Sequence, residues 1–287
     1  VPIRKSTSKP YFRCIIIEER FRLGPPGGRC EEAMATADRT FDLAVVGAGP
    51  SLDKNVESLR DFPGLTIATD RAAKAMTARG ILPDLVVAVD PRPYHIAKML
   101  DYPESKDQVL IASVCLHPDV TKAWRGRVRY MSHENPGTQF FDHGLPHLFP
   151  GMPALYCLGN VGNMAVQLAG ELGAGKIVMV GQDYGYTDGK MSADEWVRAR
   201  GEDDVEHWER VRPDHAYNLA RRTGRVMAAG IDGVPVETYA PFISYRDTLY
   251  NLIALWKLDV VNATEGGILD DLKQMTLTEV TQNLLQF

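Results

Sequence analysis

The sequence is poor in cysteine and contains no long hydrophobic run. Only four of its 287 residues are cysteines, and no pair of them has the C-x-x-C spacing of a zinc site. No apolar stretch approaches the roughly 20 residues that a membrane-spanning helix needs. These absences argue against a zinc-binding or disulfide-stabilised scaffold and against a membrane span. They favour a cytoplasmic protein with reduced thiols.

The sequence also lacks an excess of positive charge. Lysine and arginine total 32 against 37 acidic residues, so the formal net charge is −5. Because no overall basic field attracts nucleic acid, we expect no nucleic-acid partner. The hydrophobic fraction of 45% is ordinary for a globular protein that is long enough to bury a full core. Composition leaves open whether the chain forms an oligomer.

From residue 41 onward, short apolar runs alternate with helical segments. The runs predict strands, and the periodic segments between and after them predict helices, at residues 50–60, 72–79, 94–100, 163–172, 243–258 and 276–285. The strands are predicted at residues 43–46, 65–68, 85–89, 109–114, 128–131 and 177–180. This alternation predicts an α/β, Rossmann-like domain with a mostly parallel sheet and helices on both faces.

Two further segments stand apart from this alternation. Residues 1–40 are rich in proline, glycine and charge, and we predict an irregular N-terminal extension there. Asp232-Gly233 lies between two extended runs and predicts a hairpin with a type I′ turn, because such a turn needs positive φ angles.

The segment Gly-Ala-Gly-Pro-Ser-Leu at residues 47–52 follows the first predicted strand. Glycine allows a sharp turn and a close approach to a ligand, so Gly47 and Gly49 are predicted to border a phosphate. Pro50 suits the first position of a helix, and Ser51 adds a hydroxyl donor beside the free N–H groups of that helix. The segment matches neither a dinucleotide fingerprint nor a Walker A loop. A plain strand-to-helix turn is the alternative.

Polar residues follow two other predicted strands. Asp90 ends the run at 85–89, where a carboxylate suits a ribose hydroxyl, a metal ion or an acceptor hydroxyl; a turn or helix cap before Pro91 is the alternative. Gln182, Asp183 and Tyr184 follow the strand at 177–180. Because the ends of parallel strands share one edge of the sheet, we expect these side chains to line a site.

Two polar, glycine-containing loops are further candidates. Asn160 and Asn163 open the helix predicted at 163–172 and are predicted to bind a phosphate or a base, with helix capping by Asn160 as the alternative. Thr264 and Glu265 lie in a loop at residues 262–267 that is predicted to face the ligand, with a simple connection as the alternative.

Residues 189–215 are polar and rich in tryptophan and arginine, and we predict a lid over the site. A surface helix that uses its tryptophans for ordinary packing is the alternative. His215, in this segment, and His143 are candidate general bases, although either histidine also suits a surface position.

Taken together, five segments resemble the motility accessory factor (Maf) and 6-hydroxymethylpterin diphosphokinase MptE-like family. They are residues 47–52, 83–90, 160–180, 181–183 and 262–267. The glycine turn and the later helix–strand–Gly-x-Asp unit are also similar to bacterial sialyltransferases that use CMP-sialic acid. The resemblance implies a Rossmann-like, sialyltransferase-like fold. In the Maf branch it implies transfer of nonulosonic acids to flagellin, and in the MptE-like branch transfer of diphosphate from ATP to a pterin.

The resemblance implies a glycosyltransferase whose donor is a nucleotide-activated, CMP-linked sugar and whose acceptor is a protein such as flagellin. Gly49, Ser51 and Asn160 would stabilise the departing phosphate, and Asp183 or Asp90 would orient the acceptor hydroxyl or take its proton. One alternative is a Mg²⁺-dependent diphosphokinase in which Asp90 and Asp183 bind the metal. The other is a nucleotide-sugar binding factor without catalytic activity.

The sequence departs from both branches of this resemblance. Maf-like sequences carry a histidine shortly after the Gly-Gln-Asp segment, where this chain has Met191 and Ser192. The archaeal pterin enzymes carry Asp-Leu-Asp-Gly where this chain has Val-Asp-Pro-Arg at residues 89–92. The second departure favours sugar transfer over the pterin reaction, and the first leaves the identity of the base open.

Overall fold

The structure is a computed structural model that describes residues 41–91, 100, 103–134, 144–156, 158–193 and 224–285. The predicted N-terminal extension, the helix predicted at 94–100 apart from its last residue, most of the predicted lid, His143 and His215 lie outside the described residues.

Parallel β-structure forms the centre of the described fold. The strands are β1 (Leu43–Val46), β2 (Leu65–Thr69), β3 (Leu85–Ala88), β4 (Val109–Ser113), β5 (Arg127–Glu134), β6 (Ala154–Tyr156), β7 (Ile177–Val180), β8 (Arg225–Ala229), β9 (Pro235–Tyr239), β10 (Val260–Asn262) and β11 (Lys273–Gln274). Nine of them form one sheet in the order β11-β10-β7-β1-β2-β3-β4-β5-β6, and every neighbouring pair is parallel. Strands β8 and β9 form a separate antiparallel hairpin.

Helices follow most of these strands. They are α1 (Leu52–Asn55), α2 (Asp70–Ala78), α3 (Pro118–Ala123), α4 (Leu145–Leu148), α5 (Val161–Leu172), α6 (Ala240–Trp256) and α7 (Leu277–Leu285). Short 3-10 helices occur at Val56–Asp61, Pro103–Asp107 and Thr187–Gly189. Within the described ranges, none of the helices combines the length and hydropathy that crossing a bilayer requires.

The central strands are buried on both faces. In β1, Ala44 and Val46 pack into one hydrophobic cluster, whereas Leu43 and Val45 pack into a second cluster on the opposite face. Alternate side chains of a strand point to opposite faces, so helices must cover both sides of this sheet. The predicted α/β fold with a mostly parallel sheet is therefore confirmed.

The order of the strands creates a crevice beside β1. The chain runs outward from β1 to β6 and then returns through α5 to β7, on the other side of β1. Ligands of open α/β sheets bind where the order reverses in this way, outside the carboxyl ends of the strands. Gly49 donates its N–H to the carbonyl of Gly181 at 2.8 Å, so the segments that leave β1 and β7 touch at this point.

Two of the predicted elements differ from the structure in kind and not only in their end residues. The helix predicted at 50–60 is a four-residue α1 followed by a 3-10 helix, and the buried side chain of Asn55 donates to the carbonyl of Ala263 at 2.9 Å where the two meet. The predicted hairpin exists, but residues 230–234 connect its strands and only Gly233 among them has a positive φ, of 79°. The turn is therefore not the predicted type I′ turn, which needs two such residues.

The loop after β10 packs directly on the end of β7. Ile268 donates its N–H to the carbonyl of Asp183 at 2.9 Å. Gly267 has a φ of +77°, and a Cβ atom at this position would lie 2.1 Å from the carbonyl oxygen of Asp183. Only glycine fits, because the backbone conformation and the available space both exclude a side chain.

This contact predicts different costs for the same substitution at two glycines. Gly267→Ala is expected to cost about 2–4 kcal/mol, because steric overlap adds to backbone strain. Gly233→Ala is the matched control, since φ is +79° there and nothing lies within 4 Å of the added Cβ. This control substitution should lower the free energy of unfolding only by the backbone strain, roughly 1 kcal/mol. Urea unfolding measures both, and equal losses would contradict the packing account.

Candidate functional site

A cavity of about 510 Å³ lies at the carboxyl edge of the sheet. Residues that follow β7, β1, β2 and β3 line it, together with the amino end of α5 and aromatic residues of β9 and α6. The cavity therefore occupies the crevice beside β1 that the strand order creates. Most of the polar residues that the sequence places at strand ends meet here.

The amino end of α5 faces this cavity with unused hydrogen-bond donors. Asn160 caps the helix, and its Oδ1 accepts the N–H of Asn163 at 2.8 Å. The N–H groups of Val161 and Gly162 precede the first intrahelical bonds and have no partner among the described residues. Together with the helix dipole, such groups favour an anion. Asn160 thus acts as the cap that the sequence offered as an alternative.

The side chain of Gln182 brings another donor to the same place. Gln182 is only 6% exposed, and its Nε2 has no hydrogen-bond partner within the described part of the chain. A Cβ atom on Gly162 would lie 2.4 Å from Oε1 and 3.0 Å from Nε2 of this side chain, so the amide rests against the first turn of α5. A buried donor without a partner is costly. An acceptor on a ligand would relieve that cost.

Asp183 is held by hydrogen bonds from two segments. The Ser51 hydroxyl donates to its Oδ2 at 2.7 Å, and the Thr187 hydroxyl donates to its Oδ1. The carboxylate is 2% exposed, and burial raises its pKa to about 6 although both hydroxyl groups and Lys54 favour the charged form. Asp183 therefore ties the glycine turn after β1 to the end of β7.

This arrangement differs from the predicted role of the glycine turn. A Cβ atom on Gly49 would lie 1.9 Å from Oδ2 of Asp183, so the absent side chain makes room for the protein's own carboxylate. Gly47 and Gly49 still line the cavity, but Pro50 and Ser51 are buried beneath it and Ser51 faces Asp183. Among the described residues, α5 and Gln182 bring free donors to the cavity.

The ends of β2 and β3 contribute acidic groups. Asp70 begins α2, lines the cavity, and accepts the N–H of Arg71 at 2.8 Å. Burial raises the pKa of Asp70, Arg71 opposes that shift, and Asp90 adds to it. Asp90 and Asp183 follow strands three positions apart in the sheet, roughly 14 Å at ordinary strand spacing. Asp70 follows the strand adjacent to that of Asp90, and Asp90 is the nearby carboxylate that helps raise its pKa.

Asn163 and Tyr184 are buried and bond to each other. The Tyr184 hydroxyl donates to Oδ1 of Asn163, whose Nδ2 donates to the carbonyls of Leu158 at 2.7 Å and Tyr245 at 2.9 Å. Burial raises the pKa of Tyr184 well above its ordinary value. This network fixes the first turn of α5, so Asn163 positions the site and Tyr184 forms part of its wall.

Thr264 and Glu265 are placed differently from their prediction as ligand-binding residues. Thr264 is fully buried and its Oγ1 accepts the N–H of Gln182 at 3.2 Å. Oε1 of Glu265 accepts the side chain of Asn55 at 3.2 Å and the N–H of Leu277 at 3.0 Å. Neither residue is part of the described cavity lining. Their contacts join the loop to α1, β7 and α7.

Several lining residues escaped the sequence analysis. His133 lies near the end of β5, and its Nδ1 shares a hydrogen bond of 2.7 Å with the Ser113 hydroxyl. Burial lowers the pKa of His133, which favours a neutral ring. Strand β5 was predicted to stop at residue 131. A prediction that extended it to residue 134 would have placed His133 at the edge of the sheet. Tyr245 was predicted only as part of a helical segment, and Phe242 lies just before that segment.

The chain belongs to the 6-hydroxymethylpterin diphosphokinase MptE-like family, whose sequence model matches residues 32–189, more than half of the chain. A curated relative is the 6-hydroxymethyl-7,8-dihydropterin pyrophosphokinase of Methanothermobacter thermautotrophicus. It is 34% identical over 147 residues, which cover 50% of this chain and 58% of that relative. The chain therefore spans less than two thirds of this relative. The family resemblance read from the sequence is confirmed.

A solved structure supports the fold over a longer stretch. The Maf glycosyltransferase from Magnetospirillum magneticum AMB-1 aligns with a TM-score of 0.61 at 18% sequence identity. The alignment covers 88% of this chain and 37% of the Maf chain. At this identity the similarity establishes the shared fold.

The buried Asp183 predicts a pH dependence of stability. Its pKa is raised from 3.8 to about 6, so the folded state binds the proton more tightly than the unfolded chain. Its contribution to the free energy of unfolding is therefore greatest below pH 3.8 and is lost as the pH rises through about 6.

We therefore expect the stability of the wild type, relative to Asp183→Asn, to fall by on the order of 1–3 kcal/mol between about pH 4 and pH 7. Urea unfolding at several pH values measures this difference. Asp188→Asn is the control, because that carboxylate is largely exposed and pairs with Lys54 at the surface. A difference between the wild type and Asp183→Asn that stays constant with pH would refute the account.

Proposed function

We propose that this member of the MptE-like family is a transferase that holds the phosphate of a nucleotide-activated donor at the amino end of α5. The supporting observation is the buried Nε2 of Gln182, which has no hydrogen-bond partner among the described residues. Its amide group rests against the first turn of α5, where the N–H groups of Val161 and Gly162 are free. Phosphate oxygens are hydrogen-bond acceptors, so one phosphate would satisfy all three donors at once.

The transferred group is, in our proposal, a sugar from a CMP-linked nonulosonic acid. The bond between the anomeric carbon and the phosphate oxygen breaks, and its electron pair leaves with the phosphate. Donors that are fixed before the reaction stabilise this growing negative charge. The fold shared with the Maf glycosyltransferase and the Val-Asp-Pro-Arg segment at residues 89–92 support this choice. A protein hydroxyl, such as one on flagellin, is the proposed acceptor.

Asp70 is the best-placed carboxylate to receive the acceptor's proton. It lines the cavity two strands from β7, and burial raises its pKa towards the range in which a general base works well. Asp90 lies beside it and would orient the acceptor. Both oxygens of Asp183 already accept hydrogen bonds, so we assign Asp183 a positioning role.

A second candidate is transfer of diphosphate from ATP to a pterin. The 34% identity to a pyrophosphokinase favours it. The paired carboxylates of Asp70 and Asp90 suit Mg²⁺, which prefers one or two carboxylates together with substrate phosphates. They would hold the Mg²⁺ that bridges the phosphates of ATP. Phosphate binding at Gln182 is common to both candidates.

The two candidates predict different responses to metal removal. With a CMP-linked nonulosonic acid as donor, we expect release of CMP to persist in EDTA, because the protein's own donors stabilise the leaving phosphate. Diphosphate transfer should instead convert ATP to AMP and stop in EDTA. Chromatography of the nucleotide products measures both reactions. Strictly Mg²⁺-dependent formation of AMP, without turnover of the CMP-sugar, would reverse our preference.

Gln182→Met tests the phosphate site itself. The side chain keeps its approximate size and loses a donor without a partner, so the free energy of unfolding should stay unchanged or rise. The affinity for CMP should fall roughly 10-fold or more, because a hydrogen bond to a charged group is lost. Calorimetry measures the affinity and urea unfolding the stability.

Gln182→Glu sharpens this test by placing a negative charge beside the phosphate. It should weaken CMP binding further than Gln182→Met does. If both variants bind CMP as tightly as the wild type does, the phosphate lies elsewhere.

A further inference from the structure

Three aromatic rings form the wall of the cavity beyond β7. Tyr239 ends β9, whereas Phe242 and Tyr245 lie in the first two turns of α6. All three line the cavity. The Phe242 ring packs edge-on against Tyr239, with centroids 4.3 Å apart, and its centroid is 6.3 Å from that of Tyr245. We call Phe242 and Tyr245 the aromatic wall.

The residues of the aromatic wall pack against the hydrophobic core but are only partly buried. The buried residues of α6 are Leu249, Leu252 and Trp256, all in its second half. Phe242 and Tyr245 lie before them and remain partly exposed beside the cavity, whereas Tyr239 is 2% exposed and supports them from behind. Large aromatic faces that stay accessible beside a polar site are suited to stacking on a planar ligand.

Two contacts lock the aromatic wall to the phosphate site. Gly159 has a φ of +92°, and a Cβ atom there would lie 2.1 Å from the Tyr245 ring, so the backbone before α5 rests on this ring. Asn163 Nδ2 donates to the carbonyl of Tyr245 at 2.9 Å. The aromatic wall and the free N–H groups of α5 are therefore held at a fixed distance from each other.

We propose that the aromatic wall is the subsite for the nucleobase of the donor. This inference rests on the proposed function, which places a phosphate at α5. A planar base linked through ribose to that phosphate would stack on Phe242, and Tyr245, whose ring is tilted by 59° to that of Phe242, would border the base. Stacking tolerates different bases because each has a π face. The base then occupies the end of the cavity beyond β7.

The subsite also sets the direction of the donor. With the base at the aromatic wall and the phosphate at Gln182, the transferred group would extend into the rest of the cavity, which the ends of β2 and β3 line. Asp70 and Asp90 follow those two strands, and His133 lies farther along the same edge.

The test compares CMP with ribose 5-phosphate, which carries the same phosphate but no base. Phe242→Leu should weaken CMP binding about 5-fold or more, since stacking on one base contributes about 1–3 kcal/mol. Its affinity for ribose 5-phosphate should equal that of the wild type. Phe242→Trp should retain CMP binding, because it restores an aromatic face even if Phe242→Leu folds poorly. Calorimetry measures each affinity.

Tyr250→Leu is the matched control, because it removes an aromatic ring from α6 outside the cavity lining and should alter neither affinity. Binding of both ligands to the wild type with no selective effect of Phe242→Leu would overturn the subsite alone. Binding of neither ligand would overturn the proposed function and the subsite with it. If Phe242→Leu weakens the binding of 6-hydroxymethylpterin but not that of CMP, the aromatic wall binds the ring of an acceptor. That result would overturn the proposed nucleobase subsite.

Discussion

The buried carboxylate of Asp183 is the interaction on which the rest of the site depends. It accepts hydrogen bonds from Ser51, which is 132 residues away in sequence, and from Thr187. Gly49 leaves room for the carboxylate, and Gly267 packs against the backbone of the same residue. Burial alone would make this charge costly, and the hydroxyl donors offset part of that cost. In this way one residue, through its side chain and its backbone, joins the segments after β1, β7 and β10.

These contacts of Asp183 explain why hydrogen-bond donors at two helix starts that look alike in sequence have different roles. The turn at residues 47–52 uses its serine and glycines to receive a protein carboxylate, and the N–H groups of Gly47, Gly49 and Ser51 already donate within the protein. The first turn of α5 has an amide cap, and its next two N–H groups remain free beside Gln182. A helix start whose donors are satisfied internally holds the fold, whereas one with unsatisfied donors in a cavity is prepared for an anion.

Much of the fold could be predicted from local pattern, because buried parallel strands appear as apolar runs that end in glycine or aspartate. Strands β6, β10 and β11 are only two or three residues long and leave too little pattern to detect. Of the site, Gln182 and Asn160 could be found from their positions after a strand and before a helix. The orientation of Ser51 towards Asp183 could not, because it depends on a contact between distant segments.

The aromatic wall and the Asp70–Asp90 pair escaped prediction for a related reason. Phe242 and Tyr245 fit a helical pattern equally well as core residues, and only the packing of α6 leaves them beside the cavity. Asp70 appears in sequence as an ordinary first-turn acidic residue of a helix. Its proximity to Asp90 follows from the pairing of β2 with β3, which sequence periodicity does not reveal.

A crystal structure of the protein with CMP tests the central claim most directly. The account predicts a phosphate oxygen about 3 Å from Nε2 of Gln182, with the N–H groups of Val161 and Gly162 donating to the same phosphate. A phosphate bound instead against residues 47–52, with the Ser51 hydroxyl released from Asp183 and Gln182 not engaged, would contradict it.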